Sequence, residues 1–172
     1  MTYTKPDFAS VGDLHIAYQS YGRPTDPALL LVMGLGSQMV AWDETFCRLL
    51  ASRRLYVIRF DNRDIGQSTY WLQGGRPDLD ALAQALAAGQ TVAVPYTLVD
   101  MAQDTVGLMD ALEIERAHLV GLSMGGMIGQ EMALHWPQRM LTLTAIMSTT
   151  GDPGLPPPQP EALDVLLTPF PA

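Results

Sequence analysis

The segment Gly121-Leu122-Ser123-Met124-Gly125 holds the residues with the clearest chemical potential. It follows an apolar run and precedes a segment with helical spacing, so Ser123 is predicted to lie in a sharp strand-to-helix turn. Glycines on both sides let the strand and the helix approach each other while the serine backbone is held at unfavourable angles. The pattern predicts a nucleophilic serine hydroxyl exposed at a helix N-terminus. A glycine-rich turn without chemistry is the alternative interpretation.

A nucleophilic serine that attacks a carbonyl needs N–H donors for the oxyanion that forms. The backbone N–H of Met124, at the start of the predicted helix, is one candidate donor. The backbone N–H of Leu35, within Met33-Gly34-Leu35-Gly36 after an earlier apolar run, is the second. An ordinary strand-to-helix turn remains the alternative for the Leu35 segment.

Other residues of catalytic type are interpreted as structural. Asp61, Arg63 and Asp64 follow a predicted strand, and their close spacing is typical of a hydrogen-bonded turn whose charges pair locally. His15 lies on a predicted edge hairpin, and His118 lies on the strand below Ser123. His135 lies more than three helical turns beyond Ser123. None is expected to serve Ser123 as its base.

The elements that must position Ser123 follow from the alternation of apolar runs with helix-period segments. Strands are predicted at Ala28 to Met33, Leu55 to Phe60, Ala117 to Leu122 and Met140 to Met147, with a strand-like edge at Leu14 to Tyr18. Helices are predicted at Ala41 to Ser52, Thr97 to Leu112 and Met124 to His135, and Thr97 with Asp100 forms a capping box. The fold class is α/β, a mainly parallel sheet with helices on both faces and an antiparallel N-terminal edge.

The composition narrows the classes of partner. A net charge of −8 with only 10 Lys and Arg argues against a nucleic-acid partner and favours small neutral substrates. No signal-peptide core or membrane-length apolar stretch is present, so we expect a cytoplasmic protein with no membrane partner. Cys47 is the only cysteine, so no internal disulfide or two-cysteine metal site is possible, and no cofactor or metal is expected.

Four segments together resemble the serine-type α/β-hydrolases, and specifically bacterial esterases related to anthracycline (aclacinomycin) methylesterase. They are VMGLG at Val32 to Gly36, DNRDIGQS at Asp61 to Ser68, YTLVDMA at Tyr96 to Ala102 and GLSMGGM at Gly121 to Met127. Many relatives carry His-Gly where this chain has Met33-Gly34. This difference lies in the loop that holds Leu35, the second candidate oxyanion donor. The resemblance implies a triad in the chain order serine, acid, histidine, with the histidine far towards the C-terminus.

The resemblance implies that this chain is the N-terminal half of such a fold. Residues 1–150 are expected to form the N-terminal part of the core domain, and the proline-rich residues 151–172 an extended excursion that begins a cap region. The rest of the core, the histidine and the acid are expected on a second chain, the C-terminal half of the same protein. Asp152 is a minor candidate for the acid, against a turn aspartate.

Two classes of function remain open from the sequence. In the first, the assembled heterodimer is a serine esterase that hydrolyses a small carboxylic ester through an acyl-enzyme on Ser123. In the second, the chain is a catalytically inactive fragment or a binding module. Within the enzyme class, carbon–carbon bond hydrolysis and perhydrolysis use the same nucleophile.

Overall fold

A computed structural model describes residues 5–71, 81–82, 84–85, 88–152, 154–157 and 159–168. Within them lies a six-stranded sheet with the strand order β1-β2-β4-β3-β5-β6. The strands are β1 (Asp7–Val11), β2 (Leu14–Tyr21), β3 (Ala28–Val32), β4 (Tyr56–Phe60), β5 (Ala117–Leu122) and β6 (Met140–Ile146).

The pairing directions confirm the predicted fold class. β1 pairs with β2, and β2 with β4, in antiparallel fashion, which forms the N-terminal edge. The pairs β3 with β4, β3 with β5 and β5 with β6 are all parallel. The register sets Val32 opposite Gly121 and Leu122 opposite Ile146, so the carboxyl ends of the three parallel strands lie side by side. Loops that leave this edge are brought together there.

The helices cover both faces of the sheet, as the sequence predicted. The covering helices are α1 (Glu44–Ala51), α2 (Leu98–Ala111) and α3 (Met124–His135), and a further helix, α4 (Pro160–Leu167), follows β6. In β3, Leu30 and Val32 pack in a core that includes residues of α2 and α3, whereas Leu29 and Leu31 pack on the opposite face with Cys47 of α1. Because successive side chains of a strand point to opposite faces, a continuous apolar run is what a sheet covered on both faces requires.

Several helix and strand boundaries differ from the prediction. Helix α1 begins at Glu44 rather than Ala41, because the Asp43 carboxylate caps it by accepting the N–H of Thr45 at 2.7 Å. A short 3₁₀ turn occupies Met39–Ala41 instead. Strand β2 extends beyond the predicted Tyr18 to Tyr21, and it lies inside the sheet because β1 occupies the edge. The predicted capping box of α2 is confirmed, since Thr97 and Asp100 bond reciprocally.

The proline-rich segment is not wholly extended, which corrects the prediction for residues 151–172. Helix α4 spans Pro160–Leu167, with Pro160 at its first position and Glu161 in its first turn. Proline is favoured at that position because the first helical N–H needs no intrahelical acceptor. No helix in the described part of the chain is long and apolar enough to cross a membrane.

Candidate active site

Ser123 occupies the turn between β5 and α3, where it is the N-cap residue of the helix. Its backbone angles are φ 54° and ψ −120°, a region that non-glycine residues rarely adopt. Its N–H donates to the carbonyl of Ile146 at 2.9 Å, and its own carbonyl accepts the Ser148 hydroxyl at 2.9 Å. The Ser123 hydroxyl makes no capping bond to the helix. The side chain is therefore left available while its backbone is fixed from two sides.

Close backbone contacts around Ser123 explain the glycines of the motif. A Cβ on Gly121 would lie 2.2 Å from the carbonyl oxygen of Gly125, and one on Gly125 would lie 2.2 Å from that of Val32. Real side chains do not tolerate such distances to backbone atoms, because neither partner can move aside. Helix α3 is thereby pressed against β5 and β3, and the connection is confined to Ser123.

The loop after β3 reaches the same position. An ideal Cβ on Gly34 would lie 3.0 Å from Cβ and 3.5 Å from Oγ of Ser123, so the Gly34 backbone runs directly beside the hydroxyl. Leu35 follows and is 68% exposed, and both Leu35 and Met124 line one cleft. Within the described residues, neither of their backbone N–H groups has an acceptor. The structure thus brings Ser123, Met124 and Leu35 together, although their catalytic roles remain predictions.

Asp61 lies beside these loops and serves as an anchor. Its carboxylate is buried and accepts the backbone N–H of Met39 at 2.7 Å and of Gln67 at 2.9 Å. A Cβ on Gly66 would lie only 2.1 Å from this carboxylate, so the turn closes tightly around it. Asp61 therefore ties the loop after β4 to the loop after β3, which agrees with a structural interpretation.

Arg63 does not pair within its own turn, which corrects the prediction of local pairing. Its guanidinium forms two bonds with the carboxylate of Asp104 on α2, at 2.6 Å and 2.7 Å. Both side chains are only 10% exposed. Burial raises the pKa of the Asp104 carboxyl, and Arg63 opposes that rise. This pair holds the loop after β4 against α2.

Asp64 is also bound to a distant residue. It adopts a positive φ of 63°, and its carboxylate accepts the Tyr96 hydroxyl at 2.6 Å and the backbone N–H of Trp71. Burial raises the pKa of Tyr96 to about 12, and its bond to Asp64 adds to the rise. The Arg63 guanidinium lies 4.8 Å from the centre of the Tyr96 ring.

The histidines lie away from Ser123, as expected from their positions in the sequence. His118 is on β5, five residues before Ser123 and thus roughly 16 Å along an extended strand, with its Nδ1 2.8 Å from the Thr142 hydroxyl. His135 ends α3 beside Glu131, about 18 Å along the helix. His15 is in β2, which β4 and β3 separate from β5 in the sheet.

Asp152 has the geometry of a turn aspartate. Its carboxylate accepts the backbone N–H of Gly154 at 2.7 Å, and its carbonyl accepts the N–H of Leu155 at 3.0 Å. These bonds close a short local turn on the surface after β6. The structure gives no support to Asp152 as the catalytic acid.

The sequence profile of the alpha/beta hydrolase fold matches residues 27–170, so this chain belongs to that family. It is 30% identical over 166 residues to the rhodomycin D methylesterase of Streptomyces sp. (strain C5), covering 87% of this chain and 50% of that protein. It is 32% identical over 165 residues to the rhodomycin D methylesterase of Streptomyces peucetius, covering 86% and 49%. The resemblance to bacterial methylesterases that the motifs indicated is thereby confirmed.

Solved structures agree with this assignment. A hydrolase from Pseudomonas aeruginosa PA01 superposes with a TM-score of 0.66 at 32% identity, covering 84% of this chain and 46% of that one. The chain spans about half the length of the curated relatives it matches.

Proposed function

We propose that this chain carries the nucleophile and the oxyanion donors of a serine hydrolase that cleaves carboxylic esters. One observation carries the proposal: Ser123 is held at φ 54°, ψ −120° with its hydroxyl uncapped and the Gly34 backbone beside it. Strained backbone persists only where the surrounding structure enforces it, and such positions cluster at functional sites. Two relatives named as methylesterases support an ester as the substrate.

In the proposed reaction, Ser123 Oγ attacks the ester carbonyl carbon while a histidine takes the hydroxyl proton. The carbonyl oxygen becomes an oxyanion, which the N–H groups of Met124 and Leu35 would stabilise, aided by the positive end of the α3 dipole. The bond to the alkoxy group then breaks, and the alcohol leaves with the proton held by the histidine. Water, activated by the same histidine, hydrolyses the acyl-enzyme and restores Ser123.

The proposal places the histidine and the acid on the C-terminal half of the same protein, present as a second chain. The position of β6 supports a missing C-terminal half, whether that half continues this chain or forms a second one. Strand β6 is the last strand of the sheet, and most of its side chains are exposed, among them Leu141 and Ile146. Parallel strands are ordinarily covered on both faces, and an open edge strand invites pairing. A complementing chain would pair with β6 and cover that face.

The test uses the protein with all of its chains and a short chromogenic acyl ester. We expect a burst of released alcohol and one acyl group on Ser123, located by peptide mass spectrometry. Ser123→Ala should lower kcat by a factor of about 10⁴ to 10⁶ without unfolding the protein. The matched control is Ser52→Ala, since Ser52 caps the C-terminus of α1 on the surface.

The alternatives give different results in the same experiment. A loss of activity below about tenfold in Ser123→Ala would identify another nucleophile. Absence of acylation in the complete protein would favour an inactive fragment or binding module. Faster hydrolysis of a carbon–carbon bond than of any ester would assign carbon–carbon bond hydrolysis as the reaction. Faster turnover with peroxide would assign perhydrolysis. The mass of any polypeptide that copurifies with this chain tests the proposal of a second chain. A folded monomer without a companion polypeptide would contradict that proposal.

A further inference from the structure

A cleft of about 450 Å³ opens beside the proposed oxyanion site. We call it the lateral cleft, defined by the apolar residues that line it: Leu35, Ile65, Tyr96, Leu98, Met101 and Met124. Its volume falls within the roughly 300–1,000 Å³ typical of small-molecule sites. Because Leu35 and Met124 also supply the proposed oxyanion donors, a carbonyl held at those donors would lie beside the cleft.

The polar side chains around the lateral cleft are already engaged with one another. The Arg63 guanidinium bonds to Asp104, and the Asp64 carboxylate accepts the Tyr96 hydroxyl. Nε and Nη2 of Arg63 and both carboxylate oxygens of Asp64 are already bonded, so a charged substituent would regain little of its lost hydration there. Burying a charge without such compensation is strongly unfavourable.

Among the described residues, Arg63 is the one cation that lines the cleft, and it is already paired. The charged side chains that line the cleft are those of Arg63 and Asp64, and the carboxylates of Asp104 and Asp100 lie close to the Arg63 guanidinium. A ligand carboxylate would therefore meet the Asp64 carboxylate and a guanidinium that Asp104 already neutralises, in a site where repulsion between like charges is stronger than in water.

We infer that the lateral cleft receives an uncharged, apolar group of the substrate and discriminates against a group that carries a carboxylate. The substrate role rests on the proposed function, whereas binding in the cleft does not require catalysis. The apolar group belongs to either the acyl or the alcohol side of the ester, since both are attached at the carbonyl carbon.

Binding is tested on the complete protein with two naphthyl methyl ketones of matched shape. One bears a carboxamide and the other a carboxylate on the ring distant from the ketone. Ligand-observed NMR titration should show the carboxylate binding at least about tenfold more weakly. Equal affinity, or no binding of either ketone, would overturn the inference.

A pair of matched variants locates the binding. Leu98→Trp fills the cleft at the start of α2 and should weaken binding of the neutral ketone at least about tenfold through steric exclusion. Leu49→Trp introduces the same change at a 58% exposed position of α1, on the opposite face of the sheet, and should leave affinity unchanged. Affinity unaffected by Leu98→Trp would place the ligand elsewhere and refute the inference.

Kinetic measurements then show whether the acyl or the alcohol group of the ester occupies the cleft. They also separate the inference about the cleft from the proposed esterase function. Two neutral ester series, one with a naphthyl acyl group and one with a naphthyl alcohol, are each compared with the corresponding small ester. Leu98→Trp should reduce kcat/KM at least about tenfold more for the naphthyl member of one series than for its small counterpart. If the ketones bind as expected but Ser123 is never acylated, the proposed function fails and the cleft remains a binding site. If Ser123 is acylated but the size effect is absent from both series, the inference alone fails.

Discussion

Replacement of Ser123 by glycine should stabilise the protein relative to replacement by alanine, while both remove the proposed nucleophile. Ser123 has a φ of 54°, where any Cβ collides with its own backbone. Alanine retains that Cβ and hence the strain, whereas glycine adopts the same angles freely. The two variants differ in little else, so their difference in stability measures the strain.

The magnitude follows from two opposing contributions. A non-glycine residue in a sparsely populated backbone region is destabilised by about 1–3 kcal/mol. Glycine in place of alanine loses roughly 0.5–1 kcal/mol, because it gives the unfolded chain more freedom. We therefore expect Ser123→Gly to exceed Ser123→Ala in free energy of unfolding by up to about 2.5 kcal/mol.

The assay measures the free energy of unfolding of both variants by urea titration of the complete protein. The two free energies are compared provided that the variants have equal m-values. The control is the same pair at Ser52, which has ordinary angles of φ −64° and ψ −16°. There Ser52→Gly should be the less stable variant by roughly 0.5–1 kcal/mol. If Ser123→Gly is also less stable than Ser123→Ala, the turn stores no strain and the reasoning is refuted.

Two further predictions concern the contacts between the loop after β4 and the elements around it. Arg63→Met leaves the Asp104 carboxylate buried without its partner and should lower the free energy of unfolding by about 3–5 kcal/mol in urea titrations. Because burial then raises the pKa of Asp104 unopposed, part of that loss should be regained as pH falls below neutrality; a loss independent of pH would contradict this. Tyr96 should ionise at a pKa of about 12 in an ultraviolet titration, and this step should be missing in Tyr96→Phe. Since its pKa is raised from 10.0, the stability it confers is complete below pH 10.0 and is lost as pH rises towards about 12, so a Tyr96→Phe protein with the same alkaline loss would exclude the assignment.

The central elements were predictable from the sequence because the burial of each one is reflected in its own run of apolar residues. Strand β5 and helix α3 have the predicted bounds, and β3 and β4 differ by one residue at one end. Strands covered on both faces must be apolar throughout, so a short continuous run bounded by turn residues identifies them. The serine turn was also predictable from local sequence, because backbone contacts between neighbouring elements require glycines on both sides of the serine.

The pairing of charged groups was not predictable. Arg63 has acidic residues at its own turn, yet it bonds to Asp104, 41 positions away. Nothing in local spacing distinguishes these partners, because the choice depends on how α2 packs beside the loop. Tyr96 presents the same difficulty, as its partner Asp64 is 32 positions away. The lateral cleft is formed by these distant contacts, so its lining could be recognised only in the folded chain.

The geometry of the turn explains why a single residue bears the strain. The register that sets Val32 opposite Gly121 brings β3 and β5 together, and Gly125 packs on the Val32 carbonyl. The strand and the first turn of α3 are thereby fixed independently of Ser123, each by contacts that no side chain could enter. The chain must reverse within one residue, and Ile146 and Ser148 hold that residue from the neighbouring strand and its following loop. A serine kept in this conformation by its surroundings needs no rearrangement to present its hydroxyl, which is the form of preorganisation that a nucleophile requires.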